Sequence, residues 1–305
     1  MKKAAEVAFL KVVELGSIRA AARALGQDPS GISRRITQLE QRLGTKLVDR
    51  SGNVTTATAQ GQLYSERLSS IIRQLEALEA EVSGEDLVPS GLLRVTSAID
   101  FGQEFVADWL LDFRRRYSNV EFDLVLSSGF VDLNQTGIDV ALRVGHLPDS
   151  GLIARKLAEL PRILVASPEY LRRRGEPQYP QDLAQHDHVF FAPANRQQML
   201  ELVGPDGAIS RVKRSSGIAI NSVRSAVKAV INGVGIHAGP LWAFSHHIEQ
   251  GDVLPVLPGY TQKQLPLYAV RQPSTVVPAR ISSFIDHVAK SIRTVEGLNP
   301  IVCSN

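Results

Sequence analysis

The first sixty residues constrain the fold of this chain more than any other stretch, because they carry a nearly complete set of helix start and stop signals. Apolar residues at helical spacing run up to Gly16, and Ser17 can cap a second short helix that ends at Gly26. Asp28 followed by a proline then marks the start of a third helix. Two helices joined by a tight turn are the arrangement of a helix-turn-helix, which the sequence predicts over residues 19–38.

The exposed face of the third helix suits the major groove of DNA. Opposite its apolar stripe lie short polar side chains and one guanidinium, with no acidic residue among them: Ser30, Ser33, Arg34, Thr37, Gln38 and Gln41. Arginine can bind guanine in a bidentate manner, hydroxyls can contact base edges or phosphates, and free amides at a helix N-terminus favour a phosphate. The alternative, from these residues alone, is a polar surface on a purely structural helix.

The charge distribution points to the same partner. Residues 1–58 carry ten Lys or Arg against five Asp or Glu, a net charge of +5, whereas the 305-residue chain as a whole is at +3. A basic head on a near-neutral body indicates a polyanionic partner, although a solvated basic surface explains the charge equally well. The runs 45–50 and 54–58 predict a two-stranded wing, from which Arg50 could enter a minor groove or contact a phosphate.

The same stretch resembles a known family. Residues 9–26, 29–36 and 39–44 are similar, without a gap, to the winged helix-turn-helix of the LysR-type transcriptional regulators. The resemblance implies a DNA reader over residues 18–37. It also implies the following DNA-binding residues: Ser17, Arg19, Pro29, Ser30, Ser33, Arg34, Thr37 and Arg50.

The chain departs from the family pattern at four positions. Asp28 stands where the family often has Ser or Thr, and Asn53 stands where the wing usually carries Arg. Val48 replaces the usual Phe, and Gln60 the usual Ala. The loss of one wing cation and the gain of a carboxylate should weaken phosphate attraction, so the departures affect DNA affinity more than function.

A long helix is predicted to follow the head. Residues 58–83 contain no proline, and Gly61 is their only glycine. Apolar residues at alternating spacings of four and three form a heptad seam: Tyr64, Leu68, Ile71, Leu75, Leu78 and Val82. So narrow a seam on a long helix favours pairing with a second copy over packing on its own domain.

In LysR-type proteins the matching helix dimerises the heads. The resemblance therefore implies a homodimer that binds a pseudo-palindromic site in double-stranded DNA. Because the family commonly assembles as a dimer of dimers, it also implies a homotetramer.

The rest of the chain alternates predicted strands and helices, which is typical of an α/β fold with two small lobes and a ligand cleft at the C-terminal ends of the strands. The LysR-type effector domain, which has a two-lobed, type 2 periplasmic-binding-protein fold, is resembled by residues 91–95, 131–133, 137–145, 152–157, 166–171 and 232–236. This resemblance implies the following effector-binding residues: Thr96, Ser97, Asp100, Ser127, Ser128, Arg143, Asn221 and Gly235, with Ala98, Gly145, Phe191 and Ala192 beside them.

Some of these residues have a simpler explanation. We expect Asp100 to cap the helix predicted over residues 101–117 in preference to contacting a ligand. Arg143 can pair with Asp139, an outcome as well supported as anion binding, and the run 127–129 can be a turn. If Asp100 and Arg143 both face the cleft, a ligand carrying both an amine and an acid would satisfy them.

No catalytic constellation is visible in the sequence. The clusters 186–188 and 246–247 lack the spacing of a zinc site, and no Walker loop, dinucleotide fingerprint or nucleophile elbow occurs. No apolar run is long enough to span a membrane. The single cysteine, Cys303, excludes an intrachain disulfide and fits a reducing cytoplasm. We therefore expect no metal, no cofactor and no membrane partner.

These observations together predict an α/β protein with four segments. They are an all-α winged helix-turn-helix over residues 1–58, a linker helix and hinge over 59–90, an effector domain of two α/β lobes over 91–295, and a tail over 296–305. The expected function is that of a cytoplasmic, non-enzymatic LysR-type regulator whose DNA binding responds to an unknown small-molecule effector between the lobes. The alternative is a small-molecule binding protein or an enzyme on the same two-lobed fold, with the head serving only for assembly.

Overall fold

The computed structural model describes residues 2–50, 54–83, 88–129, 133, 137–191, 199–213, 216–274 and 277–301. The chain divides into two compact units. The first comprises Met1–Leu87 with the short segments Asp132–Ile138 and Val276–Pro278, and the second comprises the remainder. No helix among the described residues is both long and apolar enough to cross a membrane.

The first unit is a helical head with a wing and a long helix. Its elements, in chain order, are α1 (Lys2–Leu15), α2 (Ile18–Ala24), α3 (Pro29–Leu43), β1 (Val48–Asp49), β2 (Thr56–Ala57) and α4 (Ala59–Ser83). The two strands pair antiparallel, with Val48 opposite Ala57. This arrangement confirms the winged helix-turn-helix. The tip of the wing, residues 51–53 including Asn53, lies outside the described residues.

The capping signals in the sequence define the helix ends. Ser17 Oγ accepts a hydrogen bond from Ala20 N at 3.3 Å, and Asp28 Oδ2 accepts one from Gly31 N at 3.1 Å. Gly44 ends α3 in the left-handed conformation, with φ at 66°, which residues with a side chain rarely adopt.

The head has a core of its own to which every one of its elements except β2 contributes. The buried members are Ala8, Phe9, Val12, Ala21, Ala22, Ile32, Ile36, Leu39, Leu47, Val48 and Leu68. Tyr64 and Ile72 of α4 pack against this cluster, and the ring centroids of Phe9 and Tyr64 are 5.7 Å apart. Gly61 allows this close approach, because a Cβ at that position would lie 1.9 Å from Leu47 O. The first turns of α4 therefore belong to the head.

The second unit is built on two sheets. Lobe I contains a six-stranded sheet in the order β15-β6-β14-β5-β3-β4. Its strands are β3 (Gly91–Ser97), β4 (Val120–Leu126), β5 (Val140–Val144), β6 (Ile153–Leu160), β14 (Leu265–Arg271) and β15 (Asn299–Pro300). Lobe II contains a five-stranded sheet in the order β11-β8-β12-β7-β13 and a separate hairpin, β9–β10. Its strands are β7 (Arg162–Ala166), β8 (Asp187–Phe191), β9 (Met199–Val203), β10 (Ile209–Lys213), β11 (Ser216–Ile220), β12 (Ile236–Pro240) and β13 (Leu254–Pro255).

Helices cover both sheets. They are α5 (Ile99–Phe101), a π-helical turn (Gly102–Val106), α6 (Ala107–Arg116), α7 (Pro168–Arg174), α8 (Val223–Ile231), α9 (Ser245–Glu249) and α10 (Ala279–Ser291), with short 3-10 turns at Pro180–Gln185, Leu241–Ala243 and Ile292–Thr294. The two-lobed α/β architecture confirms the predicted fold class.

The parallel strands of each lobe end at one edge of their sheet. In lobe I, β3 runs parallel to both β4 and β5, so Ser97 and Val144 end neighbouring strands at the same edge. In lobe II, β8 runs parallel to both β11 and β12, so Phe191 and Ile220 lie together. Pro161 separates β6 from β7 and carries the chain from lobe I to lobe II.

Candidate nucleic-acid interface and ligand cleft

Helix α3 divides into a buried face and an exposed polar face. Ile32, Ile36 and Leu39 are buried in the head core. Most of the side chains predicted to face DNA are exposed, namely Ser30, Arg34, Gln38 and Gln41, while Ser33 and Thr37 are half-buried. Pro29 is exposed at the first turn. The structure therefore brings the predicted reading residues of α3 to one surface.

The wing contacts this surface directly. Arg50 Nη1 donates a hydrogen bond to Ser33 Oγ at 2.9 Å, so the predicted wing cation lies against the predicted reading helix. Thr37 Oγ1 donates to Ser33 O at 3.0 Å, which uses the Thr37 hydroxyl proton within the helix. Arg34 is exposed and, among the residues that the structure describes, forms no hydrogen bond or ion pair. Its guanidinium is available to a base edge or a phosphate.

The start of α2 carries the other two predicted DNA-binding residues. Arg19 is exposed in the first turn of this helix. Ser17 is half-buried, and its hydroxyl oxygen already accepts the capping hydrogen bond from Ala20 N. Arg19 is thus exposed, as a DNA-binding residue should be, while Ser17 also caps α2.

A carboxylate occupies the N-terminus of α3, the predicted reading helix. The Ser30 hydroxyl and the Gly31 amide both donate to Asp28, and these hydrogen bonds lower the pKa of its carboxyl group. Asp28 is therefore negatively charged at neutral pH. It sits at the positive end of the α3 dipole, where a phosphate would otherwise approach. The Gly31 amide is consequently not free for DNA.

Glu40 connects α3 to the wing, a role that the sequence analysis missed. Its side chain is only 4% exposed, and Oε1 accepts from Leu47 N at 2.9 Å and Val48 N at 3.2 Å. Lys46 Nζ lies 3.2 Å from Oε2. Burial by itself raises the pKa of the Glu40 carboxyl, but these hydrogen bonds outweigh it and the pKa is lowered. A signal was present, because Glu40 follows Ile36 by four residues and so lies on the buried stripe.

The heptad seam of α4 has two parts. Tyr64 is half-buried and Leu68 is buried, and both pack on the core of their own head, which differs from the prediction of a seam facing a second copy. Further along, Ile71 and Leu75 are 60% and 39% exposed. Leu78 and Val82 also lie in α4, but their side chains fall outside the described part of the chain.

In lobe I, the residues at the strand ends are largely engaged. Thr96 and Ser97 are fully buried, and Thr96 Oγ1 donates to Val125 O at 2.7 Å. Ser97 Oγ is buried without a hydrogen-bond partner among the described residues. Ser127 Oγ accepts from Gly129 N at 3.2 Å, which bears out the alternative of a turn, and Ser128 is exposed on it.

Arg143 holds the same turn. Its Nη1 donates to Gly129 O at 3.1 Å, and burial lowers the pKa of its guanidinium. Asp139 Oδ2 accepts from Arg94 N at 2.9 Å, so this carboxylate fixes the backbone of β3. The observed contacts give Arg143 a structural role at the edge of lobe I.

Asp100 does not cap its own helix, and the prediction that it does so is wrong. The N-cap residue of α5 is Ala98, which has no side-chain capping hydrogen bond. The Asp100 carboxylate instead accepts from lobe II, with Ser222 Oγ at 3.1 Å, Val223 N at 2.7 Å and Arg224 N at 3.3 Å. This carboxylate therefore joins the two lobes at the cleft edge.

Two further predicted residues of lobe II lie at opposite edges of its sheet. Asn221 follows β11 and is exposed at the C-terminal edge, near Phe191. Gly235 precedes β12, and a Cβ there would lie 2.4 Å from Asp187 O at the start of β8. Because β8 and β12 are parallel, Gly235 is at the N-terminal edge, so its assignment to the cleft is wrong. Ala192 lies outside the described residues.

The histidine clusters serve the packing of lobe II. His186 Nδ1 lies 3.1 Å from the Tyr170 hydroxyl, and His188 Nε2 lies 2.8 Å from Leu183 O. His247 Nδ1 is 2.9 Å from the Asp252 carboxylate. Across the described residues, no group of three or more His, Cys, Asp or Glu side chains could hold a metal ion.

Comparisons with known proteins cover both units. The family described as bacterial regulatory helix-turn-helix protein, lysR family, matches residues 7–62, and the LysR substrate binding domain matches residues 88–293. An HTH-type transcriptional repressor of Pseudomonas aeruginosa is 33% identical over 290 residues, which cover 94% of this chain and 91% of the relative.

Solved structures match over the same length. CrgA from Neisseria meningitidis, a LysR-type transcriptional regulator, is 30% identical with a TM-score of 0.60, over 94% of this chain and 97% of that one. The Vibrio cholerae virulence activator AphB is 27% identical with a TM-score of 0.57, over 95% of this chain and 99% of that one.

Proposed function

Because this chain belongs to the LysR family of transcriptional regulators, we propose that its head reads one half of a pseudo-palindromic operator in double-stranded DNA through α3 and the wing. The protein is a LysR-type transcriptional regulator with a substrate-binding effector domain.

One observation carries the assignment of the reading surface. Arg34 is exposed, forms no hydrogen bond or ion pair among the described residues and interacts with Asp28 only through its charge. It lies on the same face as Ser33, which already accepts a hydrogen bond from Arg50 of the wing. Arg34 would bind a guanine edge, while Arg50 and the hydroxyls of Ser30 and Ser33 would contact neighbouring bases or phosphates. The proposed DNA-binding surface is completed by Ser17, Arg19, Pro29 and Thr37.

The effector is proposed to bind between the strand ends of the two lobes. The proposed residues on the lobe I side are Thr96, Ser97, Asp100, Ser127, Ser128 and Arg143, and Asn221 is proposed on the lobe II side. Binding there would change the closure of the lobes and shift the population of DNA-bound arrangements. We propose that the chain acts by binding and not by catalysis, in the cytoplasm where its operator lies.

Pairing of two copies along α4 would present two heads to the operator. The exposed seam residues Ile71 and Leu75 support this proposal, with Leu78 and Val82 expected to extend it. The proposed division of the chain is a head over residues 1–58, a linker over 59–90 whose first turns pack on the head core, an effector domain over 91–295 and a tail over 296–305. A homodimer would form through the linker, and a homotetramer through pairing of dimers.

A competition titration tests the reading surface. The full chain is titrated against the intergenic DNA beside its own gene, with unrelated DNA as competitor, at two salt concentrations. We expect binding that survives the competitor and weakens with salt. Arg34→Ala should reduce the preference for the site by about tenfold or more, since a bidentate contact contributes about 1–3 kcal/mol of base discrimination.

Lys11→Ala is the matched control. Lys11 lies on α1, where it pairs with Glu14 at 2.9 Å, so its loss removes the same charge from the head without touching α3. We expect this variant to keep the site preference of the parent chain. If Arg34→Ala and Lys11→Ala behaved alike, or if all binding vanished under competitor, α3 would not be the reading helix.

A further inference from the structure

Asp100 is buried at the contact between the lobes and is fully engaged there. Asp100 belongs to lobe I and is only 9% exposed. Its carboxylate accepts three hydrogen bonds from lobe II, donated by Ser222, Val223 and Arg224. Hydrogen bonds to a charged, buried acceptor are stronger than those between neutral groups. The contact therefore contributes to holding the two lobes together.

These three donors are the start of helix α8. The first amides of a helix have no partner within it, and they carry the positive end of the helix dipole. Asp100 accepts from the amides of Val223 and Arg224, and Ser222 Oγ accepts from the next amide, that of Ser225, at 3.3 Å. The Ser222 hydroxyl then donates its own proton to Asp100 Oδ1. The chain thus uses the first three amides of α8, which leaves none of them to an anion from solution.

The backbone around Asp100 is shaped to deliver this carboxylate. A π-helical turn, Gly102–Val106, interrupts the helix directly after α5. Such turns are rare and frequently occur at functional sites. Gly102 packs on lobe I, where a Cβ would lie 2.2 Å from Leu126 Cδ2 and 3.3 Å from Ser97 Cβ. Asp100 is thus carried on a segment that packs closely against its own lobe.

The same segment makes two other contacts with lobe II. Glu104 Oε2 lies 3.3 Å from Arg224 Nη2, an exposed ion pair of small expected effect. The ring of Trp242 meets those of Phe101 and Phe105 edge-on, with centroids 6.1 Å and 5.3 Å apart. The buried carboxylate and the aromatic contact therefore close the lobes at one place.

We propose that Asp100 is an internal anion that determines effector specificity: it holds the lobes closed by occupying the anion-binding N-terminus of α8, and it thereby excludes acidic ligands from that position. An acid can bind to α8 only after Asp100 has been displaced or removed. The proposal rests on the assignment of the cleft as the effector site.

Chemical rescue of the full-length Asp100→Ala variant tests this role. Both tryptophans of the chain, Trp109 and Trp242, lie in the aromatic contact, so acrylamide quenching of their fluorescence reports on closure. We expect stronger quenching than in the parent chain and a melting temperature lower by about 5 °C. Sodium formate should reverse both changes, whereas sodium chloride at equal ionic strength should not. The parent chain should not respond to formate.

Two further variants make the result decisive. Asp112→Ala removes an exposed carboxylate from the same helical segment, one that pairs with Arg115 within lobe I, and it should leave quenching and the formate response as in the parent chain. Asp100→Asn keeps the shape of the side chain, so it should fold even if Asp100→Ala does not, and it should show increased quenching through the loss of the charge.

The proposal is overturned if Asp100→Ala and Asp100→Asn are quenched like the parent chain, or if formate acts no differently from chloride on Asp100→Ala. Operator binding measured on the same samples depends on the head. If the parent chain did not bind the operator, the proposed function would be contradicted, but the result on lobe closure would still hold.

Discussion

Single charged residues organise the proposed reading surface of the head in the free protein. Arg50 is held on Ser33, Asp28 caps the reading helix, and Glu40 fixes the backbone of the wing. The positions or charges of these three side chains also affect DNA binding. The surface is therefore largely formed before DNA arrives, which reduces the ordering cost of binding.

Asp28 should lower the affinity of the head for DNA. Asp28→Asn keeps an N-cap side chain but removes the negative charge beside the phosphate path, so we expect tighter binding to operator and unrelated DNA alike. The gain should shrink as salt rises, because salt screens exposed charges. Fluorescence anisotropy titrations over a salt series measure this effect.

Glu14→Gln is the control for this prediction. Glu14 is an exposed carboxylate on α1 that pairs with Lys11, and its removal changes the net charge of the head by the same amount. It should affect DNA affinity much less than Asp28→Asn does. Equal effects from both variants would mean that net charge, and not the position of Asp28, controls affinity.

Glu40 should stabilise the head in a pH-dependent way. Its pKa is lowered on folding from an ordinary value of 4.5, so its contribution is present above that pH and is lost as the pH falls through the folded pKa. Glu40→Gln should cost about 1–2 kcal/mol in the free energy of unfolding at neutral pH, with a smaller difference in acid. Urea unfolding of the two proteins at neutral and acidic pH would show whether the difference narrows; a difference independent of pH would contradict the charge-based role.

Helix α4 packs on the head at its start and exposes apolar residues further along. Its first turns pack on the head through Tyr64 and Leu68, and the following turns expose Ile71 and Leu75. A heptad pattern predicts an apolar stripe but does not distinguish an intramolecular partner from a second copy. The three-dimensional packing of the head settles this for the first two seam residues.

Substitutions at the two parts of the seam should separate folding from self-association. Leu68→Ala leaves a cavity in the head core and should lower the free energy of unfolding by about 2–4 kcal/mol. Ile71→Ala, at a 60% exposed position, should barely change stability but should weaken self-association in sedimentation experiments. An unchanged dissociation constant for Ile71→Ala would exclude this part of α4 as the pairing surface.

At the scale of the whole molecule, the features with local signals were predictable. Caps and glycines placed α2 and α3 correctly. The sequence also predicts strands over residues 140–144 and 162–166, which are the bounds of β5 and β7. Strand β6 was missed because its first four residues are exposed and two of them, Arg155 and Lys156, are charged, so no apolar alternation marks it. Hairpin β9–β10 and strand β14 were missed as well.

The candidate cleft was less predictable than the head, because its contacts join distant parts of the chain. Asp100 and Ser222 are 122 positions apart, and nothing near Asp100 distinguishes a cap for another helix from a cap for its own. Gly235 was misplaced because a family motif does not say at which edge of the sheet a glycine lies. Sequence similarity therefore predicted the two-lobed fold, whereas locating the cleft residues required the order and direction of the strands.

The packing of Tyr64 and Leu68 makes the head and the first turns of α4 a single rigid body. The angular phase between the reading helix and any surface further along α4 is then set by the number of residues between them. One residue inserted after Ile72 would turn the exposed part of the seam by about 100° relative to the head, and seven would nearly restore it. If two copies pair along α4 as proposed, the spacing and rotation of the half-sites that the dimer accepts are set by the length of a helix that need not touch DNA.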